Sequence, residues 1–237
     1  MKVTLLGYVD DIERIIAACS EATRSKPSDS LLTTLSQEDA RKHIARVLSR
    51  GHEGISEFAY FIFSISGVSR VLTHQLVRHR IASYLQMSSR EMDLSNVDFV
   101  VPPKIKEGSK TAKIFEEAVD TARARYKELL TAGIKYEDAR YLLPSCIETH
   151  ISVAMNARSL NNLFGLRLCG RAQWEIRELA AKMREIVKLI TPSLFWSEPR
   201  PCVRQGFCPE GKKSCGFWKS EEFQKEREKF KRGYPNE

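Results

Sequence analysis

The sequence predicts one domain in which helices pack on a sheet. Three observations carry that prediction. Two long segments repeat apolar residues at helical spacing: Phe115, Ala118, Val119, Ala122, Tyr126, Leu129 and Leu130 in one, and Ile176, Leu179, Ala180, Met183, Ile186, Val187 and Ile190 in the other. Shorter runs rich in β-branched and aromatic residues stand between the helical stretches and suit strands. The 237 residues suit one large domain or two small ones, and no internal repeat or low-complexity linker divides them.

Each element follows from local chemistry. The run Val3-Thr4-Leu5-Leu6-Gly7 is too short for a signal-peptide core and meets Asp10 and Asp11 at once, so it reads as a first strand. A helix follows over residues 11–22, with Ile12, Ile15, Ile16 and Cys19 on one face. Residues 25–34 are mostly polar and read as a loop. Ser36 is a good N-cap for a helix carrying Ala40, Ile44, Val47 and Leu48, which Gly51 can close. Residues 58–66 read as a buried strand with Phe61, Phe63 and Ile65 on one face, broken by Gly67. A helix over residues 68–77 would line up Val71, Gln75 and Arg78.

Residues 96–105 are expected to be extended, with Pro102 and Pro103 excluding a helix. The first long helix covers 114–130, and Gly133 ends it. A short helix over 136–143 stops at Pro144, and 149–155 suits a strand. Residues 156–163 read as a short helix closed by Gly165. The second long helix, 172–190, ends at Pro192. Residues 220–237 are nearly all charge, either a solvated helix or a frayed tail. The expected organisation is a catalytic domain over 1–215 and a charged tail over 216–237.

Composition narrows the function classes. Hydrophobic residues make up 42% and charged residues 29%, and no apolar stretch approaches the roughly 20 residues a spanning helix needs. No membrane partner is expected. Without an export signal the expected address is the cytoplasm, where the six cysteines would be thiols and not structural disulfides. The net charge of +8 could attract nucleic acid or phosphorylated ligands. Arg78, Arg80, Arg140, Arg158 and Arg167 stand beside apolar residues, and a guanidinium inside a fold needs an anionic partner. That pattern favours discrete phosphate or carboxylate ligands. A nucleic-acid module is the second reading, but the chain lacks a zinc-finger spacing or an aromatic-basic strand signature, so no nucleic-acid partner is expected.

The densest chemistry lies in Gln75-Leu76-Val77-Arg78-His79-Arg80-Ile81-Ala82-Ser83-Tyr84-Leu85-Gln86-Met87-Ser88-Ser89-Arg90. Arginine forks bind phosphate through two donors, and serine hydroxyls and backbone amides complete such a pocket. A solvated basic loop would not need the interleaved Ile81, Ala82, Tyr84, Leu85 and Met87. Arg78 and Arg80 would lie on one side if the chain is extended there. By itself the segment is an anion site. The chain has no G-x-G-x-x-G turn and no P-loop, so a dinucleotide would have to bind through arginines and backbone amides.

Arg78-His79-Arg80, seven residues, then Ser88 resembles the signature of the flavin-dependent thymidylate synthases, the ThyX family. Gly51-His52-Glu53 and Glu57 resemble its upstream block. Asn156-Ala157-Arg158-Ser159-Leu160-Asn161-Asn162, Leu166-Arg167 and Arg171-Ala172-Gln173-Trp174-Glu175-Ile176 resemble its second block. The similarity runs from about residue 40 to about residue 195.

The resemblance implies an α+β fold with a mainly antiparallel sheet packed by long helices. It implies reductive methylation of dUMP to dTMP, with methylenetetrahydrofolate giving the carbon and FAD, reloaded by NADPH, giving the reducing equivalents. It also implies a homotetramer whose active sites are shared between subunits. Residue by residue, it places His52, Gly54, Arg78, His79, Arg80, Gln86, Asn156, Arg158 and Asn162 at the flavin. It places Gln75, Arg78, Gln86, Met87, Ser88, Ser89, Arg90, Arg140 and Arg167 at the nucleotide, and makes Arg167 the catalytic group. A guanidinium cannot deprotonate, so beside uracil N3 and O4 it would favour the ring anion without an enzyme nucleophile. The alternative for Arg167 is a structural partner for Glu175 or Glu178.

Three positions depart from the family pattern: Gly54 where Ser or Thr is common, Phe58 where histidine follows the glutamate, and Glu91 where an aromatic follows the arginine. A separate set, Cys169, Cys202, Cys208 and Cys215, has four soft side chains that could suit zinc. It lacks a tight Cys-x-x-Cys knuckle, so unligated thiols are the preferred reading and no metal is expected.

Overall fold

The computed structural model describes residues 1–233; the last four residues of the charged segment lie outside them. In chain order the described residues form β1 (Lys2–Tyr8), α1 (Ile12–Ala22), α2 (Ser28–Leu32), α3 (Gln37–Ser49), β2 (Tyr60–Ser69), α4 (Arg70–Leu76) and β3 (Ser83–Gln86). These are followed by α5 (Pro103–Lys106), α6 (Ser109–Thr131), α7 (Tyr136–Ala139), β4 (Glu148–Asn156) and α8 (Ala157–Arg167). The chain then continues through α9 (Trp174–Ile190), α10 (Pro192–Phe195), α11 (Pro201–Gln205) and α12 (Glu221–Arg232). The class is α+β, with one antiparallel sheet in the order β1-β2-β4-β3. No helix among the described residues is long and apolar enough to cross a membrane.

Contacts group the chain into two compact units. The first holds Met1–Thr4, Ser64–Arg78 and Tyr84–Val153. The second holds Leu5–Phe63, His79–Ser83 and the chain from Ala154 onward.

The first unit is built around α6. Its Tyr126 is fully buried with Leu94, Ala139 and Ile147, and Met87, Phe99 and Leu130 pack against the cluster. Burying a phenol requires a partner for its oxygen, and the Leu94 N–H donates to Tyr126 Oη at 3.2 Å. Gly133, at φ +86°, closes the helix as the sequence predicts. The strand read as broken at Gly67 instead runs through it to Ser69. Gly67 sits at φ +68°, and a Cβ there would come within 3.1 Å of the Met1 backbone nitrogen. The glycine therefore permits a kink and a close approach inside a continuous strand. Pro103 does not exclude a helix either. It occupies the first turn of α5, where its missing N–H would have had no helical partner anyway.

The second unit packs α1 on α3 and α8 on α9. Ser36 caps α3 as predicted, accepting the Asp39 N–H at 3.1 Å. The expected loop at 25–34 contains the short α2. Phe61 meets Phe195 edge-on at 6.0 Å, and Phe164 meets Phe195 at 5.9 Å. Glu13 is buried at 1% exposure and fully bonded: Oε1 accepts the Ser193 N–H and hydroxyl, and Oε2 accepts from Gln37 and Arg41.

Gly165 does not close α8, which continues to Arg167. A Cβ at 165 would lie 3.0 Å from the Pro199 carbonyl oxygen, so the glycine lets two backbones touch. The charged segment is neither fully solvated nor frayed over its described part. Ser220 caps α12, Phe223 is buried, and Trp196 stacks on Phe230 at 6.4 Å. Arg227 donates to the Val203 and Arg204 carbonyls at the end of α11.

Candidate active-site residues

The residues singled out by sequence fall into two groups, one in each unit. In the first unit, α4 starts at Ser69, whose hydroxyl accepts the Leu72 N–H at 3.1 Å. Gln75 on this helix donates to the Val71 carbonyl at 3.3 Å. Tyr84 donates to the Leu76 carbonyl at 2.9 Å, and burial pushes its hydroxyl up to about 12. Gln86 donates to Thr73 Oγ1 at 2.9 Å.

Next come the serines and their cations. Arg140 Nη1 donates to Ser89 Oγ at 3.0 Å across 51 residues of sequence, and its Nε donates to the Glu137 carbonyl. Arg70 Nη2 donates to the Met87 carbonyl at 3.1 Å. Burial first, and the Arg140 charge second, hold the Arg70 guanidinium below its ordinary range. Two half-buried guanidiniums that feel one another stand ready for a doubly charged anion. Arg70 is a candidate that the sequence did not single out. Its signal is there, a cation at the first position of a helix that leads into the signature, but it stands outside the matched motif. Ser88 Oγ accepts the Arg90 N–H at 3.3 Å, which suits a binding group and not an activated nucleophile. Arg90 is exposed, 3.5 Å from Glu91, and lines an open groove of about 900 Å³ with Lys135 and Tyr136.

In the second unit the central contact joins the two sequence blocks. Arg167, the last residue of α8, donates from Nε to His79 Nε2 at 3.0 Å. His79 is buried, and burial first and the Arg167 charge second push it down to about 4. At neutral pH the imidazole is therefore uncharged. Of the two acidic partners expected as the alternative for Arg167, Glu178 pairs with Lys182 at 3.0 Å. Arg158 pairs with Glu57 at 2.5 Å, so two residues matched in separate motifs meet directly.

The expectation that arginines beside apolar residues are internal needs correcting. Arg140 and Arg167 are half-buried, whereas Arg78, Arg80 and Arg158 are exposed. Along 78–80 exposure alternates, with His79 inward between two outward arginines. His52, Gly54 and Asn162 are also exposed, and a Cβ at Gly54 would meet nothing within 4 Å. The missing hydroxyl at Gly54 thus leaves open space. Asn156 has a structural duty that its matched position does not show: Oδ1 accepts the Ser159 N–H at 2.9 Å and caps α8. Asn156→Ala is expected to cost about 1 kcal/mol, the usual loss for a removed cap. Urea denaturation should show this loss, and Asn156→Ser should restore most of it.

Cys169, Cys202, Cys208 and Cys215 all line one cavity of about 380 Å³, with Arg171, Arg200 and Phe217. Burial pushes the Cys202 thiol up. The fold thus gathers the four thiols, but no group of three His, Cys, Asp or Glu side chains among the described residues converges to hold a metal ion.

A family model described as thymidylate synthase complementing protein, Thy1, matches residues 4–193. A Pyrococcus furiosus protein named flavin-dependent thymidylate synthase is 44% identical over 219 residues, spanning 89% of this chain and 90% of its own. Proteins of the same name from Geobacter sulfurreducens and Clostridium tetani are 41% and 40% identical, spanning 91% of this chain and 94% and 93% of their own.

Proposed function

Because the chain belongs to the Thy1 family of flavin-dependent thymidylate synthases, we propose that it methylates dUMP to dTMP with Arg167 activating the uracil ring. When bound, FAD supplies reducing equivalents drawn from NADPH, and methylenetetrahydrofolate supplies the carbon. The observation that carries the nucleotide site is the Arg140 guanidinium bonded to Ser89 while its charge is felt by Arg70. A 5′-phosphate dianion would offset the mutual repulsion of these two cations. Ser88, Ser89 and Arg90 add a hydroxyl pair and a third guanidinium, with Gln75, Arg78, Gln86 and Met87 completing the nucleotide stretch.

Arg167 stabilises negative charge developing at N3 and O4 of the ring, so C5 gains electron density and bonds to the methylene as the bond between that carbon and the folate nitrogen breaks. Ser88 holds ligand and forms no bond to it. The donor set of the second unit suits an anionic dinucleotide: exposed Arg80, Arg158 and Asn162 offer forks and an amide, and His52 and open Gly54 leave approach space. A homotetramer is supported by alternation on the neighbouring strands β1 and β2, where Leu6, Tyr8, Tyr60 and Ile62 are exposed. The proposed address is the cytoplasm.

The test is reconstitution of the purified chain with FAD, NADPH, dUMP and methylenetetrahydrofolate. NADPH oxidation that depends on dUMP, with dTMP formed, is expected. A colourless protein that takes up no added FAD would overturn the reading.

A further inference from the structure

The bond between Arg167 and His79 has a fixed direction. Arg167 Nε can only donate, so His79 Nε2 must accept, at 3.0 Å. An accepting Nε2 keeps its lone pair, which makes the ring neutral and puts its one proton on Nδ1. Nδ1–H is then the side-chain donor that His79 can offer a second partner.

The guanidinium is planar, so tying Nε to a buried ring also sets the direction of Nη1 and Nη2. Arginine is among the side chains with most rotamer freedom to lose, and a group that acts on a transition state works best when that freedom is already spent. The anchor is itself firm. His79 is turned inward between exposed Arg78 and Arg80, and the capped α8 extends through Gly165 to end on Arg167.

We propose that His79 is a positioning residue for Arg167, accepting from Nε so that the two Nη groups address the pyrimidine. This goes beyond the flavin contact expected of His79, and it rests on the proposed role of Arg167.

The test compares His79→Leu with His79→Gln, whose side-chain carbonyl can still accept from Nε. For His79→Leu, kcat measured at saturating FAD is expected to fall about ten- to a hundredfold with dUMP KM within about twofold of the parent, so that any weakening of the expected flavin contact is read separately as FAD affinity. His79→Gln should recover to within about threefold. In an Arg167→Ala background, His79→Leu should add less than about twofold, because a residue acting through Arg167 has nothing left to position. Nitrogen-15 NMR of the parent protein should find Nε2 unprotonated and Nδ1 protonated at neutral pH.

An unchanged kcat in His79→Leu overturns the proposal. So does a His79→Gln loss equal to that of His79→Leu, and so do multiplying effects of the His79 and Arg167 substitutions. If His79→Leu fails to fold, His79→Gln and the NMR spectrum still decide, since a protonated Nε2 rules out the bond. Unchanged activity in Arg167→Ala alone would instead remove the proposed role of Arg167, with the tautomer still reporting on the pair.

Discussion

Arg167→Ala is expected to lower kcat by roughly two to three orders of magnitude, the usual loss for one preorganised donor aimed at developing charge. The guanidinium acts where charge appears on the ring, so the loss should fall on kcat and kcat/KM together and leave dUMP KM little changed. FAD content should survive, because Arg158, Asn162 and Arg80 stay in place. Fold stability should change less than activity, since Arg167 is half-buried at a helix end and the ring that accepts from its Nε is neutral. Arg167→Lys should recover little: an ammonium has no Nε to tie to the imidazole and no planar fork. Steady-state kinetics with dUMP varied, beside flavin absorbance, check all of this. Near-parental kcat in Arg167→Ala would end the mechanism proposed above.

The second large effect is expected at the phosphate. Arg140→Ala should raise dUMP KM by about ten- to a hundredfold with kcat changed little, the loss of one charge-assisted hydrogen bond, about 1.5–3 kcal/mol. The phosphate is remote from the reacting carbon, so this binding is uniform between ground and transition states. Arg70 should then hold the anion alone. Removing either cation also removes the repulsion it exerts on the other, the smaller cause beside burial of the lowered Arg70 value, so Arg70→Ala combined with Arg140→Ala should lose less than the product of the single losses. Isothermal titration with dUMP measures each term. An unaltered affinity in Arg140→Ala would move the phosphate elsewhere.

Much of this was legible in the sequence, and each success has a local cause. Ser36 announced its helix because a short hydroxyl side chain ahead of an apolar stripe does little else so well. Gly133 was read correctly because a left-handed residue really was needed there. Gly67 and Gly165 were misread as stops for a complementary reason. Both are glycines because another backbone comes close, and that neighbour is invisible in a single sequence. Pro103 was misread because proline's cost depends on its place in the helix.

Site residues behaved in the same way. The motif gathered Ser88, Ser89 and Arg90 from one segment, but the Arg140–Ser89, Arg158–Glu57 and Arg167–His79 pairs span 51, 101 and 88 residues and required the fold. Arg70 stayed hidden because what sets it apart is its burial, its bond to the Met87 carbonyl and the charge of Arg140 that it feels, which no spacing rule encodes.

The C-terminal helix carries a practical lesson about trimming. By composition, α12 invites removal: it is mostly charge, and its few aromatics look incidental. In place, it supplies the guanidinium that occupies the last carbonyls of α11, the ring that covers Trp196 and the buried Phe223. Cutting the chain after Gly216 would leave acceptors without donors and an indole open to water, the surface on which partly folded chains adhere to one another. For anyone preparing this protein, the net-charge profile is a poor guide to where it can be shortened.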